Sequence, residues 1–269
     1  MALDRDSECL REVRVPRLMA RKRKKRDNID DILQDWPYDP RGISVRLTQG
    51  EDGRDVIQMR VDLGILQLET AGRPDGQRPE GSETYYDHLL GIAVRDGESF
   101  TLTEDQCGDV DREFVQYYHR RICWLALREF ERAVEDADHT LALMDFCRTH
   151  SPDDQWTISH EQYRPFVLFH RTQAAAMSKL ESQGGEGAIQ EINEGLEKMK
   201  VLFEKYEAED QFEEDELVQR LVETRESLRE QHDIGKTLQE QLADAVATEQ
   251  YELAAQIRDE LAKRRTNKR

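Results

Sequence analysis

The residues that could do chemistry are few, and their spacing limits what they can do. His160-Glu161 opens like the zinc-peptidase helix signature, in which a second histidine one turn on completes the metal pair and the glutamate acts as base. That later position holds Arg164, which cannot ligate a metal. Gly235-Lys236-Thr237 has the ending of a phosphate-binding loop, but Glu230 occupies the place of its first glycine, and helical rather than strand spacing precedes it. Gly184-Gly185-Glu186-Gly187 could present free backbone N–H groups to an anion ahead of a helix. With no strand before it, the run reads as a flexible helix connection. Cys9, Cys107, Cys123 and Cys147 are scattered without a Cys-x-x-Cys pair, which argues against a zinc site and against a secreted disulfide scaffold. The seven histidines lie apart, and His119, His139 and His170 read as surface or partly buried structural residues on amphipathic helices. No catalytic, cofactor-binding or metal-binding residue is assigned.

The elements that carry these residues belong to an acidic, mainly helical chain. Its 269 residues are 37% hydrophobic and 36% charged, a balance typical of elongated helical proteins with thin cores. The net charge of −18 opposes sequence-independent binding to nucleic acid, which draws its affinity from neutralised phosphates. Nucleic-acid contact is therefore restricted to basic termini if it occurs at all. No apolar run is long enough to span a bilayer and no signal-peptide core is present, so the expectation is a cytoplasmic protein without a membrane partner.

Residues 1–27 lack periodicity and end in the basic run Arg21 to Arg26, the pattern of a disordered arm; Met19, directly ahead of the run, is an alternative start. A small β-hairpin domain is expected over residues 28–82. It opens with a helical turn at Ile29, Ile32 and Leu33, which Trp36-Pro37-Tyr38-Asp39-Pro40 ends. Ile43, Val45 and Leu47 alternate with polar residues, as do Ile57, Met59, Val61 and Leu63 after the turn Gly50-Glu51-Asp52-Gly53. The alternation slips at Gly64 so that Leu66 and Leu68 become the apolar set, which predicts a bulge in one long, bent strand and a loss of stability for Gly64→Val. In the loop that follows, turn chemistry at Pro74-Asp75-Gly76 leaves Arg73 and Arg78 facing solvent.

Helices are expected over residues 83–210, with a connecting helix at 211–234. Tyr85, Tyr86, Leu89, Leu90 and Ile92 form one amphipathic segment, and Thr103-Glu104-Asp105 reads as a helix start. In the long helix pair that follows, Tyr117, Trp124, Leu125, Phe130, Ala133, Ala137 and Leu141 resemble the consensus positions of a tetratricopeptide repeat. Arg121 replaces the usual glycine of the first helix and no proline closes the unit at Asp145, so the superhelical angle of that family is not implied. A second pair is expected from His160 to Leu180 and from Gly187 to Tyr206. Two such pairs are few for a solenoid and should lean on the β-hairpin or on each other across a dimer. The acidic stretch Glu204 to Glu216 reads as a solvated joint, and Leu217, Leu221 and Leu228 continue as helix.

The most tightly specified stretch is the end, residues 235–265. Leu238, Leu242, Ala245 and Val246 form one helical stripe and Ala254, Ile257 and Leu261 another across the turn Thr248-Glu249-Gln250, which makes a helical hairpin. Thr248 is expected to cap the second helix, Tyr251 to close the turn, and Ala254-Ala255 to let the backbones approach closely. Leu238, Leu242, Tyr251-Glu252, Ala254-Ala255 and Arg258-Asp259 resemble the UVR motif shared by the UvrB and UvrC subunits of excinuclease. That resemblance implies a contact module that pairs with another UVR hairpin, in a homodimer or on a UVR-bearing protein. The implied partner-binding residues are Leu238, Leu242, Val246, Tyr251, Ala254, Ala255, Ile257, Arg258, Asp259 and Leu261. The helicase, nuclease, nucleotide-binding and cysteine-cluster segments of other UVR-bearing proteins are missing. The resulting expectation is a mainly α protein acting as a non-enzymatic adaptor, with no cofactor. Its alternative is a nucleotide-excision-repair accessory touching DNA through Arg21 to Arg26 and through Lys263, Arg264, Arg265, Lys268 and Arg269.

Overall fold

Three antiparallel strands, β1 (Ser44–Gln49), β2 (Asp55–Val61) and β3 (Gly64–Glu69), form one sheet in the order β1-β2-β3 in the computed structural model, which describes residues 28–267. Ile57 pairs with Leu47 on one side and Leu68 on the other, and Met59 with Val45 and Leu66, so one face gathers the apolar residues of all three strands. The opposite face is knitted by side chains: Arg46 Nε donates to Gln58 Oε1 at 2.9 Å, and Gln58 Nε2 donates to Gln67 Oε1 at 2.9 Å.

The slip at Gly64 has a different cause from the bulge expected. Val61 pairs with Gly64, so the connection is the two-residue loop Asp62-Leu63 and the long strand is two strands. In an antiparallel pair closed by two residues, an odd-numbered residue opposes an even-numbered one, and the apolar set changes parity with no extra residue. Leu63, counted in the alternation, is 90% exposed at the loop tip, where Arg60 donates to the carbonyl of Gly64 at 2.9 Å. A Cβ on Gly64 meets nothing within 4 Å and its φ is not positive. Gly64→Val is therefore expected to leave the unfolding free energy measured in urea unchanged or raise it by about 0.5 kcal/mol, since the variant restricts only the unfolded chain. A loss of more than about 1 kcal/mol, on the scale of such backbone effects, would restore the bulge.

Among the described residues, 38–267 belong to one unit and 28–37 to another. In the latter, α1 (Asp30–Asp35) is the helical turn expected at Ile29 to Leu33; Met19 and the basic run Arg21 to Arg26 lie outside the described residues. In the larger unit, α2 (Tyr85–Asp96) and α3 (Glu104–Leu127) begin at Thr84 and Thr103, each of whose side chains accepts a first-turn N–H. At Thr103, Gln106 returns the bond and completes a capping box. α3 and α4 (Phe130–His150) form one hairpin, α6 (Arg164–Gln183) and α7 (Gly185–Lys205) a second, and α8 (Glu216–His232) packs along the latter. The stretch expected to be helical from His160 is broken into α5 (Asp154–Glu161) and α6, because Pro165 lacks the N–H a continuous helix needs and suits a first turn. The acidic joint is pinned by its aromatics: Phe203 and Phe212 pack edge to face with ring centroids 5.6 Å apart.

The sheet has no core of its own. Its buried Ile57 and Leu68 pack with Cys123 and Trp124 of α3, Phe130 and Ala133 of α4, and Ala174 of α6. A second cluster joins α6, α7 and α8 through Ile189, Ile192, Met199, Val218 and Leu221. Between α6 and α7 the Thr172 side chain lies so close on Gly195 that a Cβ there would overlap it. No helix among the described residues is long and apolar enough to cross a membrane.

Candidate functional site

α9 (Leu238–Ala247) and α10 (Tyr251–Asn267) form the C-terminal hairpin. α9 starts in a capping box: Thr237 Oγ1 accepts the Glu240 N–H at 3.3 Å, and Glu240 accepts the Thr237 N–H at 2.7 Å. Those bonds and the nearby Arg229 of α8, which pairs with Glu240, hold its carboxyl below the ordinary value against the opposing effect of burial. The hairpin is thereby tied to the preceding helix as well as capped. Ala245, Ala254 and Ile257 are buried in the seam with Leu238, Leu242 and Leu261 packed around them, as their spacing predicts.

Four residues stand elsewhere than expected. Thr248 does not cap α10; its hydroxyl donates back to Asp244 O at 2.7 Å and ends α9, because the turn is made by the backbone. Glu249 takes the left-handed conformation (φ 57°), Gln250 N–H donates to Ala245 O at 2.7 Å and Glu249 N–H to Val246 O at 3.1 Å, the paired bonds of a Schellman turn without its glycine. Tyr251 donates its N–H to Glu249 O at 3.0 Å within the turn, but the residue is 67% exposed and its side chain lies outside the seam; Val246 is 53% exposed, and Ala255 is exposed while Ala254 alone of that pair lies in the seam.

The displaced residues share a side. Each helical residue is rotated about 100° from the one before. Val246 and Ala243 therefore flank the α9 stripe on the side where Tyr251, Ala255 and Arg258 flank the α10 stripe, since the two helices run antiparallel. This face joins small and apolar side chains with one cation, Arg258, whose guanidinium bonds the neighbouring Asp259 at 3.0 Å. The opposite flank carries Gln241, Leu253 and Glu260. Of the basic residues at the end, Lys263 is exposed on α10, and the side chains of Arg264, Arg265, Lys268 and Arg269 lie outside the described residues.

Sequence reasoning missed a buried polar network in the helical body. Glu113, fully buried on α3, accepts the N–H groups of Tyr85 and Tyr86 at 2.7 and 3.1 Å and so caps α2, and it meets His139 Nε2 at 3.0 Å. Arg73, expected to face solvent, is buried with Nε 3.5 Å from that carboxylate, while Arg78 is exposed. His139 stacks on Tyr117 with ring centroids 3.7 Å apart. Arg120 grips both oxygens of Asp136 and donates through Nη1 to Glu69 O and Gly72 O, at 3.1 and 2.7 Å, locking the exit of β3 onto α3 and α4. These partners lie between 16 and 51 residues apart in sequence and on different elements, so no local spacing reveals them.

Among the described residues no group of three or more His, Cys, Asp or Glu side chains could hold a metal, and Cys107, Cys123 and Cys147 are buried free thiols. Burial pushes the Cys123 thiol up to about 12. Half-buried His119 bonds Val115 O, and burial, reinforced by Arg121 and Arg220, takes His170 down to about 4. Comparison of the chain with curated proteins and with solved structures returns no match. The family model of the UvrB/uvrC motif matches residues 236–265, the two helices and capped turn described above, and the C-terminal hairpin is a UVR segment.

Proposed function

We propose that the protein is a non-enzymatic adaptor whose C-terminal hairpin pairs with another UVR hairpin, its own copy or one on a second protein, while the helical hairpins α3–α4 and α6–α7 hold a different partner. The observation that carries this reading is the outer face of the UVR segment, where Val246, Tyr251 and Ala255 are exposed on one side of a hairpin whose seam is already filled. Two such faces laid together would close a four-helix bundle. The UVR assignment supports a protein contact or a repair-related one, and the acidic composition favours the protein. The free thiols fit a reducing compartment such as the cytoplasm.

Because Ala255 lies outside the seam, Ala255→Glu is expected to leave the hairpin folded and to weaken pairing by about 2 kcal/mol or more, the scale of a disrupted central contact. Light scattering and capture by an isolated UVR hairpin measure it. A wild type that stays monomeric at high concentration and binds no UVR hairpin would falsify the reading. Binding to DNA that collapses steeply as salt rises would support the repair-accessory alternative instead.

A further inference from the structure

The helical body contains a cleft of about 700 Å³ between α3, α4, α5 and α6, a size typical of small-molecule sites. Asp111, Phe114, Val115, Tyr118 and Arg121 line it from α3 at helical spacing, so it runs about 15 Å along that helix. Met144 and Val167 form its apolar floor, and Val115, Tyr118 and Tyr163 stand exposed at its rim. At one end lies Arg121, 1% exposed, the residue that departs from the tetratricopeptide pattern. It makes no salt bridge among the described residues: Nη1 donates to Thr140 Oγ1 at 3.1 Å and Nε has no partner. The carboxylate whose charge acts on it, Asp136, is already held on both oxygens by Arg120. Burial accordingly draws the Arg121 guanidinium down to about 10. At the other end the Asp111 carboxylate is engaged by Trp156 Nε1 at 3.1 Å and His160 Nε2 at 2.9 Å.

A buried cation without a counter-ion is costly, and a chain that needed only to fill this position would do better with an apolar side chain. We infer that the cleft binds a small amphipathic carboxylate, an apolar body lying along Phe114, Tyr118 and Phe166 with its single negative charge against Arg121. A monoanion matches one guanidinium, whereas a phosphate dianion would leave a charge uncompensated in an apolar wall. A carboxylate also suits the fork geometry of the guanidinium edge that Thr140 does not occupy.

The test uses the full chain and decanoate as probe, with decanol and decyltrimethylammonium as controls that keep the apolar body and change the head. Calorimetric titration is expected to show decanoate binding on the order of tenfold or more tighter than either control, the contribution of a charge-assisted hydrogen bond. Arg121→Met should abolish that preference while its unliganded melting temperature stays equal to or above the wild type, a combination that a structural arginine would not produce. No decanoate binding, or equal affinity for decanoate and decanol, overturns the inference, as does undiminished decanoate binding by folded Arg121→Met. Should Arg121→Met not fold, Val115→Trp at the exposed rim decides: it is expected to block decanoate, and unchanged affinity overturns the site.

Discussion

Asp136→Ala is expected to destabilise residues 38–267 by about 3–5 kcal/mol, the cost of removing one partner from a buried ion pair. Asp136 and Arg120 are 4% exposed each, and the carboxylate receives Arg120 Nε and Nη2 at 2.9 and 2.7 Å. Burial pushes the Asp136 carboxyl above its ordinary value, and the Arg120 hydrogen bonds and charge pull the other way. Without the carboxylate, Arg120 keeps its bonds to the carbonyls of Glu69 and Gly72 but remains a buried cation whose charge is uncompensated. The loss should appear as a lower urea midpoint with an unchanged slope, because α3, α4 and the sheet unfold together. The double variant Arg120→Met, Asp136→Leu should recover more than half of it, since hydrophobic replacement removes both charges. A single variant within about 0.5 kcal/mol of wild type, the range of ordinary surface changes, would show that the pair is dispensable.

Ile257→Asp is expected to unfold the C-terminal hairpin and leave the helical body intact. Ile257 is 6% exposed between Ala245 and Ala254, and an unpaired carboxylate there costs several kcal/mol. Two short helices resting on six apolar side chains have little to set against that cost, because isolated helices of this length are marginal in water. Circular dichroism should lose the contribution of α9 and α10 while the main melting transition keeps its temperature. UVR pairing should vanish with it, unlike Ala255→Glu, which removes pairing and keeps the helices. Loss of the main transition would show that the hairpin supports the body.

Local pattern determined much of this molecule. Apolar spacing placed β1 and β2, the amphipathic segment from Tyr85, the α3–α4 pair and, Val246 apart, the stripes of the C-terminal hairpin, because burial on one face imposes a period that a sequence displays directly. The UVR segment was equally legible, being short and contiguous, so all its defining residues lie within one stretch. Thr103 announced the start of α3 because a cap is satisfied within its own first turn.

Tertiary structure decided what depends on residues distant in the chain. The parity change at Gly64 is compatible with a bulge or a two-residue turn, and only the pairing of Val61 with Gly64 selects the turn. Arg73 carries the composition of a solvent loop, yet Glu113, forty residues on in another element, draws it inside. Ala255 sits beside Ala254 in the motif, but a rotation of about 100° separates the seam from the outer face. Arg121 showed in the sequence only as a misfit to a repeat; its burial at the end of an apolar cleft required four helices to be placed around it, since charge and burial are properties of the assembled neighbourhood rather than of the residue.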